Sequence, residues 1–449
     1  MVLRDAHGNA TSTASRAALD ASESALWRMM SFYGMPADDL DSAIGADPAW
    51  ILPRLMKAGF LLGLTEPSLV AEALDLLDAA RPLAGQANDR ERAHLGALDA
   101  VAAGDWLAAG AAWQRLLDDH PRDPLALQWA HLFDFYRGDA EALRERASRV
   151  LAAWTPADPL YPYVLGHHAF GLEESGRYGE AEAAGRQALS GPARVPWAIH
   201  AVAHVMEMQG RHAEGAAWLG QWRPHWGEGN GFAGHLGWHE ALFALESLDH
   251  ATALAVFDAY LNAAANEITL QRVDAASLLW RLALQGADVG DRWQRLLAGW
   301  SLDDAAAGLS SFNDVHALIA LIGAGEPARA ERWRRVSLSQ AERGGVWNRA
   351  VAPEIAAPLM RGLLAFAQGR YNEAAEAIHP LRSHSSRLGG SHAQRDVIDQ
   401  TLLAAAAQGG MADAGRSLLA QRARTRPGSP LTDWWRRQIP AAPLPVPGS

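Results

Sequence analysis

The chain has 449 residues, with 40 Lys plus Arg against 51 Asp plus Glu, which gives a net charge of −11 at pH 7. This acidic balance argues against a nucleic-acid partner and against an anionic membrane surface, because both attract clustered positive charge. Hydrophobic residues make up 49% of the chain, enough for a large core, and the absence of cysteine excludes disulfides, thiolate metal ligands and cysteine nucleophiles.

The composition predicts helices rather than sheets. Ala, Leu, Glu and Arg are abundant and favour helix, whereas runs of Val, Ile and Thr are scarce. The N-terminal stretch lacks the apolar segment of a secretory signal. The longest apolar stretch, around His316 to Gly323, is well short of the roughly 18–20 residues that span a bilayer. We therefore expect a cytoplasmic protein without a membrane segment.

Three regions follow one another along the chain. Residues 1–20 are polar and rich in Ser, Thr and Ala, which predicts a flexible N-terminal arm. Residues 21–425 are predicted to form a single repeat domain. The part up to residue 90 matches the repeat pattern less well and is expected to cap the array. Residues 426–449 are predicted to be a Pro-rich C-terminal tail.

A short pattern recurs within the central region: an apolar-periodic helix, a turn with Gly followed by Asp or Arg, and a second helix with a small residue near its start. The turn is clear at Gly104, Gly138, Gly176, Gly210 and Gly369, and weaker at Leu248, Gly286, Gly325 and Gly409. Successive turns are 34 to 44 residues apart, close to the period of about 34 of tetratricopeptide units. The spacing predicts a stack of helix-turn-helix repeats.

One unit illustrates the physical basis of the pattern. Ile199, Val202 and Met206 form one apolar stripe of the first helix. Gly210 then ends this helix, since glycine adopts a left-handed turn at little cost. Gly215 in the second helix is small enough for the paired helices to approach closely. The predicted fold is all-α, a right-handed superhelix (α-solenoid) of tetratricopeptide-like helix-turn-helix repeats.

Several segments resemble the tetratricopeptide repeat protein 38 family, in the same order along the chain from near Arg4 to about residue 410. The matching segments are AWTPADPLYPYVLG (153–166), HAVAHVMEMQG (200–210), HLGWHEAL (235–242), VDAASLLWRL (273–282), FNDVHA (312–317) and LGGSHAQRDV (388–397). The resemblance implies a helical repeat fold and a cytosolic protein. One departure is His392, which stands where the resemblance leads us to expect Asn.

Polar side chains are concentrated on four consecutive first helices, and we expect them to meet at the inner face of the superhelix. Trp197, His200, His204 and Glu207 share one helical face by their spacing. The next three first helices add His235, Trp238 and His239; Asp274, Ser277 and Arg281; and Asn313, Asp314 and His316.

Three interpretations of His200, His204 and Glu207 remain open from the sequence. They form buried hydrogen bonds across the inner face, they belong to a recognition surface for a peptide or small anion, or they form a metal or catalytic centre. Two histidines at i and i+4 can chelate one zinc ion together with a third ligand such as His235, His239 or His316, and the predicted metal set is His200, His204 and His235. The HAVAH segment lacks the Glu that zinc peptidases of the HExxH type place after the first His.

The first function predicted from this pattern is a binding protein that holds a peptide or small polar ligand in an inner groove. The predicted lining residues are Trp197, His235, Trp238, Asp274, Arg281, Asn313 and Arg395. The alternative is a hydrolase-type enzyme, with or without a divalent metal such as zinc, whose catalytic residues are His200, His204, Glu207, His239, Asp314 and His316. Phosphate-binding loops, dinucleotide fingerprints and serine-hydrolase elbows do not occur in a usable context. The oligomeric state stays open.

Four further positions receive structural interpretations. His168 falls on an apolar stripe and is expected in the core. Glu173 and Glu174 are expected to be a solvated helix end, with a Glu174 that faces the groove as the alternative. Arg395, next to a capping Ser391, is expected to take part in capping or inter-repeat bonds as readily as in ligand binding.

Overall fold

The computed structural model describes residues 3–262 and 268–439, which fold almost entirely as helices. The helices are α1 Arg16–Ser31, α2 Ala37–Ala46, α3 Leu52–Gly63, α4 Val70–Ala80, α5 Asp89–Ala102, α6 Trp106–Asp119, α7 Pro124–Arg137, α8 Ala140–Leu151, α9 Tyr161–Glu174, α10 Tyr178–Ala188, α11 Pro196–Met208, α12 His212–Trp222, α13 Ala233–Glu246, α14 His250–Val256, α15 Thr269–Leu284, α16 Arg292–Ala298, α17 Ser311–Gly323, α18 Pro327–Arg343, α19 Val346–Val351, α20 Ala357–Ala367, α21 Tyr371–Ile378, α22 His392–Gln408, α23 Ala412–Thr425 and α24 Pro430–Gln438. Within the described residues, β-structure is limited to two isolated bridges.

The predicted turns join pairs of helices. The backbone is left-handed at eight of the nine predicted positions, for example with φ of 71° at Gly210 and 62° at Leu248. At the ninth turn the left-handed residue is Gly410 rather than Gly409, because α22 continues through Gln408 and Gly409 keeps a negative φ. The paired helices run from α5 and α6 to α22 and α23. The predicted all-α solenoid of helix-turn-helix repeats is confirmed.

Small residues set the distance between neighbouring helices. A Cβ atom built on Gly215 of α12 would lie 2.2 Å from the ring of Phe243 on α13. Ala181 of α10 is fully buried between its neighbours. Since interiors are packed as densely as organic crystals, these positions admit almost no extra volume.

The N-terminal part of the chain contacts the middle of the array. The Phe32 carbonyl accepts a hydrogen bond from the Gly231 N–H at 2.8 Å, and the Phe32 ring packs on Phe232 with centroids 4.8 Å apart. The Glu66 carboxylate accepts the N–H of Thr269, where α15 begins, at 2.8 Å. The first 70 residues therefore contact the chain where α13 and α15 begin.

The chain ends differ from the predicted arm and tail. Residues 3–15 lie against the helices, where His7 contacts Asp158 at 3.1 Å and Ser12 bonds to Glu91 at 3.0 Å, and α1 begins at Arg16. The boundary at residue 20 is therefore wrong, because side-chain contacts with distant helices hold this polar segment. Likewise α24 lies within the predicted tail, with Trp435 buried. Residues 440–449 lie outside the described residues.

One helix is more apolar than the sequence analysis expected. α19 and α20 are joined by a π-helical turn into a continuous helix of 22 residues, Val346–Ala367, whose most apolar window has a mean hydropathy of 1.3. Its length and composition alone are sufficient for a membrane span, so the expectation that no stretch approaches this length is corrected. More than half of that window is buried inside the protein, as in the core helix of a globular domain.

Candidate functional site

Four imidazoles from two adjacent first helices meet in the middle of the array. His200 and His204 lie on α11, His235 and His239 lie on α13, and each pair has the i, i+4 spacing that places both rings on one helical face. One nitrogen from each ring lies within 4.8 Å of the other three. His204 and His239 are fully buried, His200 is 1% exposed, and the His235 side chain is 14% exposed. We call these four residues the histidine centre.

Carboxylates stand behind three of the four rings. His235 Nδ1 lies 2.6 Å from Asp274 Oδ2, and His239 Nδ1 lies 3.2 Å from Glu207 Oε2. His204 Nδ1 lies 3.5 Å from Glu173 Oε2. For His235 and His239, a carboxylate bonded to Nδ1 holds the proton there and leaves the Nε2 lone pair free, which is the arrangement found behind most metal-binding histidines, whereas Glu173 and His204 are close but not hydrogen-bonded.

Several of the ring nitrogens have no hydrogen-bond partner. His200 Nε2 and His235 Nε2 lie 3.0 Å apart and share one proton. Among the described residues, no hydrogen-bond partner exists for His239 Nε2 or for either ring nitrogen of His204. An unsatisfied buried polar atom costs on the order of 1–3 kcal/mol. A cation placed among the Nε2 atoms would relieve this cost at several of them simultaneously.

Burial keeps three of these imidazoles neutral. Burial lowers the pKa of His200, His204 and His239 well below the usual value of 6.5, and the neighbouring imidazoles add to the effect. Burial raises the pKa of Glu173 well above its usual value, and the charges of Glu174 and Glu207 raise it further. At neutral pH these three rings are therefore neutral, which is the form that binds metals, and burial favours the protonated form of the nearby Glu173 carboxyl group.

Glu173 and Glu174 belong to this site, although only Glu174 was considered for the groove from the sequence, as the alternative to a solvated helix end. Both are buried at the end of α9, so the expected solvated helix end is wrong. Glu174 Oε1 accepts the N–H of His392 at 3.0 Å, and Arg395 Nη2 lies 3.4 Å from Glu174 Oε2. A signal existed in the repeats: Glu173 and Glu207 each stand three residues before a turn glycine.

The residues predicted to line a groove are mostly enclosed. Trp238 is fully buried and donates its Nε1–H to Ser277 at 3.0 Å. Arg281 is also fully buried and donates to the carbonyl of Ala393 on α22 at 2.7 Å. Trp197 is half-buried, with its ring 4.9 Å from that of His200. At these positions the inner face is filled by the chain itself and is not an open groove.

Asp274 bonds to side chains of two neighbouring helices. Its Oδ2 atom contacts His235, and its Oδ1 atom accepts a hydrogen bond from Gln394 Nε2 at 3.1 Å. Gln394 belongs to α22, which therefore packs across the inner face at α15. Asp274 orients a ring of the histidine centre rather than binding a ligand directly.

The residues of α17 do not join the centre, although the sequence analysis placed them there. Asn313 donates to Thr65 Oγ1 at 3.0 Å, on the N-terminal segment. Asp314 accepts the N–H of Gly308 at 3.2 Å, and burial raises its pKa to about 7. His316 Nδ1 lies 2.8 Å from the Phe312 carbonyl of its own helix. The predicted convergence of four helices is wrong for α17, because these side chains bond to nearer partners.

The row of buried imidazoles continues beyond the centre. His131 and His167 are buried with ring centroids 4.4 Å apart, and both rings approach Trp197. His168, expected in the core, is instead half-buried and contacts Ser148 at 3.2 Å. The expected orientation of α9 was therefore off by one residue, since His167 and not His168 faces inward.

No protein-family model matches the chain. Among solved structures, it is similar to a tetratricopeptide repeat protein from Parabacteroides merdae, with 16% identity and a TM-score of 0.35, over 65% of this chain and 98% of that chain. It is also similar to yeast Tom70, with 11% identity and a TM-score of 0.38, over 94% of this chain and 87% of that chain. Both scores are low, and the fold assignment rests on the helix pairs described above.

Proposed function

We propose that this protein binds a transition-metal ion, with zinc as the first choice, through Nε2 of His200, His204, His235 and His239. The observation that supports this most strongly is the convergence of four imidazoles. Among them, Nε2 of His204 and of His239 has no hydrogen-bond partner, and a carboxylate bonds to Nδ1 of His235 and of His239. The predicted set of three histidines is thus extended by His239, the residue on α13 that lies one turn after His235.

The distances fit a tetrahedral ion after a small adjustment. Zinc–nitrogen bonds of about 2.0–2.1 Å place the four ligand atoms roughly 3.3 Å apart. The nitrogens of His200 and His235 are already 3.0 Å apart, and all four ligand atoms lie within 4.8 Å of one another. Four protein ligands are typical of structural zinc sites, so bound zinc is expected to stabilise the array.

Metal analysis of the purified, untagged protein tests this proposal, followed by zinc titration of the metal-free chain against a competing chelator. We expect one equivalent of metal, and at least a hundredfold weaker zinc binding by His239→Gln. His168→Gln is the matched control, because that imidazole lies outside the centre and should leave zinc binding unchanged. Absence of metal together with no zinc binding at micromolar concentrations would refute the proposal.

A second candidate function is metal-assisted hydrolysis, and the state of Glu173 favours it. This carboxyl group is fully buried, neither of its oxygens has a hydrogen-bond partner among the described residues, and it lies 3.5 Å from His204. A carboxyl group with a raised pKa beside a metal ligand is suited to accept and return a proton. Esterase activity that requires zinc and is lost in Glu173→Gln, with zinc binding retained, would support it.

Binding of a peptide or small polar ligand, the other function expected from the sequence, needs an open surface. Repeat arrays usually offer one on their concave side. Since Trp238, Asp274 and Arg281 are enclosed here, we propose that a ligand binds beside the histidine centre rather than on those residues. Membership of the tetratricopeptide repeat protein 38 family and a cytoplasmic location are parts of the same proposal.

A further inference from the structure

A second group of potential metal ligands lies beside the histidine centre, at the end of α9. Oxygens of Glu173 and Glu174 and a ring nitrogen of His204 lie within 4.8 Å of one another. His204 Nδ1 is 3.5 Å from Glu173 Oε2. Three ligands of this kind are sufficient to bind a divalent cation whose remaining positions are taken by water. We call these three residues the α9 site.

Two of the three side chains are enclosed without the partners that buried polar atoms need. Glu173 and His204 are both fully buried. Neither oxygen of Glu173 and neither ring nitrogen of His204 has a hydrogen-bond partner among the described residues. A buried carboxylate is normally paired with a cation or bound to a metal, because an unpaired charge is costly away from water. The unbonded atoms that face each other here therefore point to a cation between them.

The neighbouring arginines do not supply this cation, because other carboxylates bind them. Arg395 Nη2 lies 3.4 Å from Glu174 Oε2, and Arg426 Nη2 donates to Glu207 Oε1 at 3.0 Å. Within the described part of the chain, the one ion-pair contact of Glu173 is with the neutral ring of His204. An ionised carboxylate has about four lone-pair sites, so Glu174 can bind a cation and keep its contact with Arg395.

A cavity of about 600 Å³ gives a route from solvent to the α9 site. It lies where α22, α23 and residues 379–385 meet, and His392 and Arg395 form part of its wall. Both of these side chains contact Glu174, and the His392 side chain is 34% exposed. A hydrated cation in the cavity is therefore separated from Glu174 by a single layer of side chains.

We propose that Glu173, Glu174 and Nδ1 of His204 bind a second divalent cation, with manganese(II) as the first choice. Carboxylate ligands suit Mn²⁺, and Mn²⁺ binds more weakly than zinc, so we expect purification to retain zinc and lose manganese. The α9 site goes beyond the proposed histidine centre and shares only His204 with it. When both ions are bound, each ring nitrogen of His204 binds one of them, and the ring proton and any proton on Glu173 pass to water. A cation on Glu173 excludes this carboxylate as the proton acceptor in hydrolysis, so manganese binding also decides between these two roles.

Titration of the full chain with manganese chloride, with and without one equivalent of zinc, tests the proposal. The electron paramagnetic resonance signal of free aqueous Mn²⁺ measures the unbound ion. We expect one bound equivalent with a dissociation constant below about 0.1 mM. Glu173→Gln should weaken Mn²⁺ binding at least about tenfold and leave zinc binding unchanged. The matched control is Glu180→Gln, which removes an exposed carboxylate of α10 that pairs with Arg177.

Thermal unfolding shows whether the substitution acts on the ion or on the fold. Without metal, Glu173→Gln should be at least as stable as the unchanged chain, because it removes a buried carboxyl group that has no partner. Added Mn²⁺ should raise the Tm of the unchanged chain and of His239→Gln, but not that of Glu173→Gln.

The proposal is overturned if Mn²⁺ does not bind at submillimolar concentrations, or if Glu173→Gln and Glu180→Gln bind it equally well. Mn²⁺ binding that persists in His239→Gln, where zinc binding is lost, would show that the two sites are separate. A chain that binds Mn²⁺ but not zinc would support the α9 site and refute the proposed histidine centre.

Discussion

Acidification of the metal-free protein from pH 7.5 to pH 5.5 is expected to remove much of its stability. Six imidazoles with a lowered pKa are less than 5% exposed: His131, His167, His200, His204, His239 and His316. Each one stays neutral in the folded state but gains a proton in the unfolded chain below pH 6.5. Their stabilising effect is therefore present above the unfolded pKa and is lost as the pH falls.

Two carboxyl groups oppose this loss. The pKa of Asp314 is raised to about 7 and that of Glu173 is raised well above its usual value, so both bind a proton in the folded state before the unfolded chain does. The unfolded chain then binds about four more protons than the folded chain near pH 5.5. At about 1.4 kcal/mol per proton and pH unit, the slope approaches 5 kcal/mol per pH unit, and the loss by pH 5.5 is on the order of 5 kcal/mol.

Urea unfolding at half-unit steps of pH, in the presence of a chelator, measures this slope. His167→Phe should lower it by about 1.4 kcal/mol per pH unit, because this ring is buried with its Nδ1 unbonded and has a pKa of about 3. Replacing the exposed His384 by Asn is the control. A free energy of unfolding that stays constant between pH 7.5 and pH 5.5 would refute the reasoning.

Three other predictions address single contacts. Glu207→Gln should weaken zinc binding about 10–100-fold in a chelator competition assay, because it removes the charge behind a ligating ring; unchanged affinity would argue against the proposed ligands. Asp314→Asn should raise the free energy of unfolding at pH 8 but not at pH 4. The reason is that the native carboxyl group loses its buried proton only above about pH 7. Equal effects of the substitution at both pH values would contradict this prediction. Gly215→Ala should lower the free energy of unfolding in urea by about 1–3 kcal/mol, because the added Cβ would meet Phe243. Gly220→Ala on the same helix is the control. Its Cβ would meet nothing within 4 Å, so this substitution should be neutral or stabilising.

Metal-binding geometry was only partly predictable from the sequence. The i, i+4 spacing placed His200 and His204 on one face of α11, since this follows from helical geometry alone. The choice between His235, His239 and His316 as further ligands depends on how α13 and α17 are rotated against α11. The structure brings both imidazoles of α13 to the centre and leaves His316 bonded to its own helix.

The helices and their turns were determined by the sequence itself, because apolar periodicity and a left-handed glycine act over a few residues. Glu174 and Arg395 show what only the tertiary structure decided. They are separated by 221 positions and meet because α22 returns to the end of α9. The sense in which an array curves, and the part of its concave face that the chain then fills, arise from small rotations summed over many helix pairs. The curvature of the array therefore cannot be predicted from any local sequence pattern.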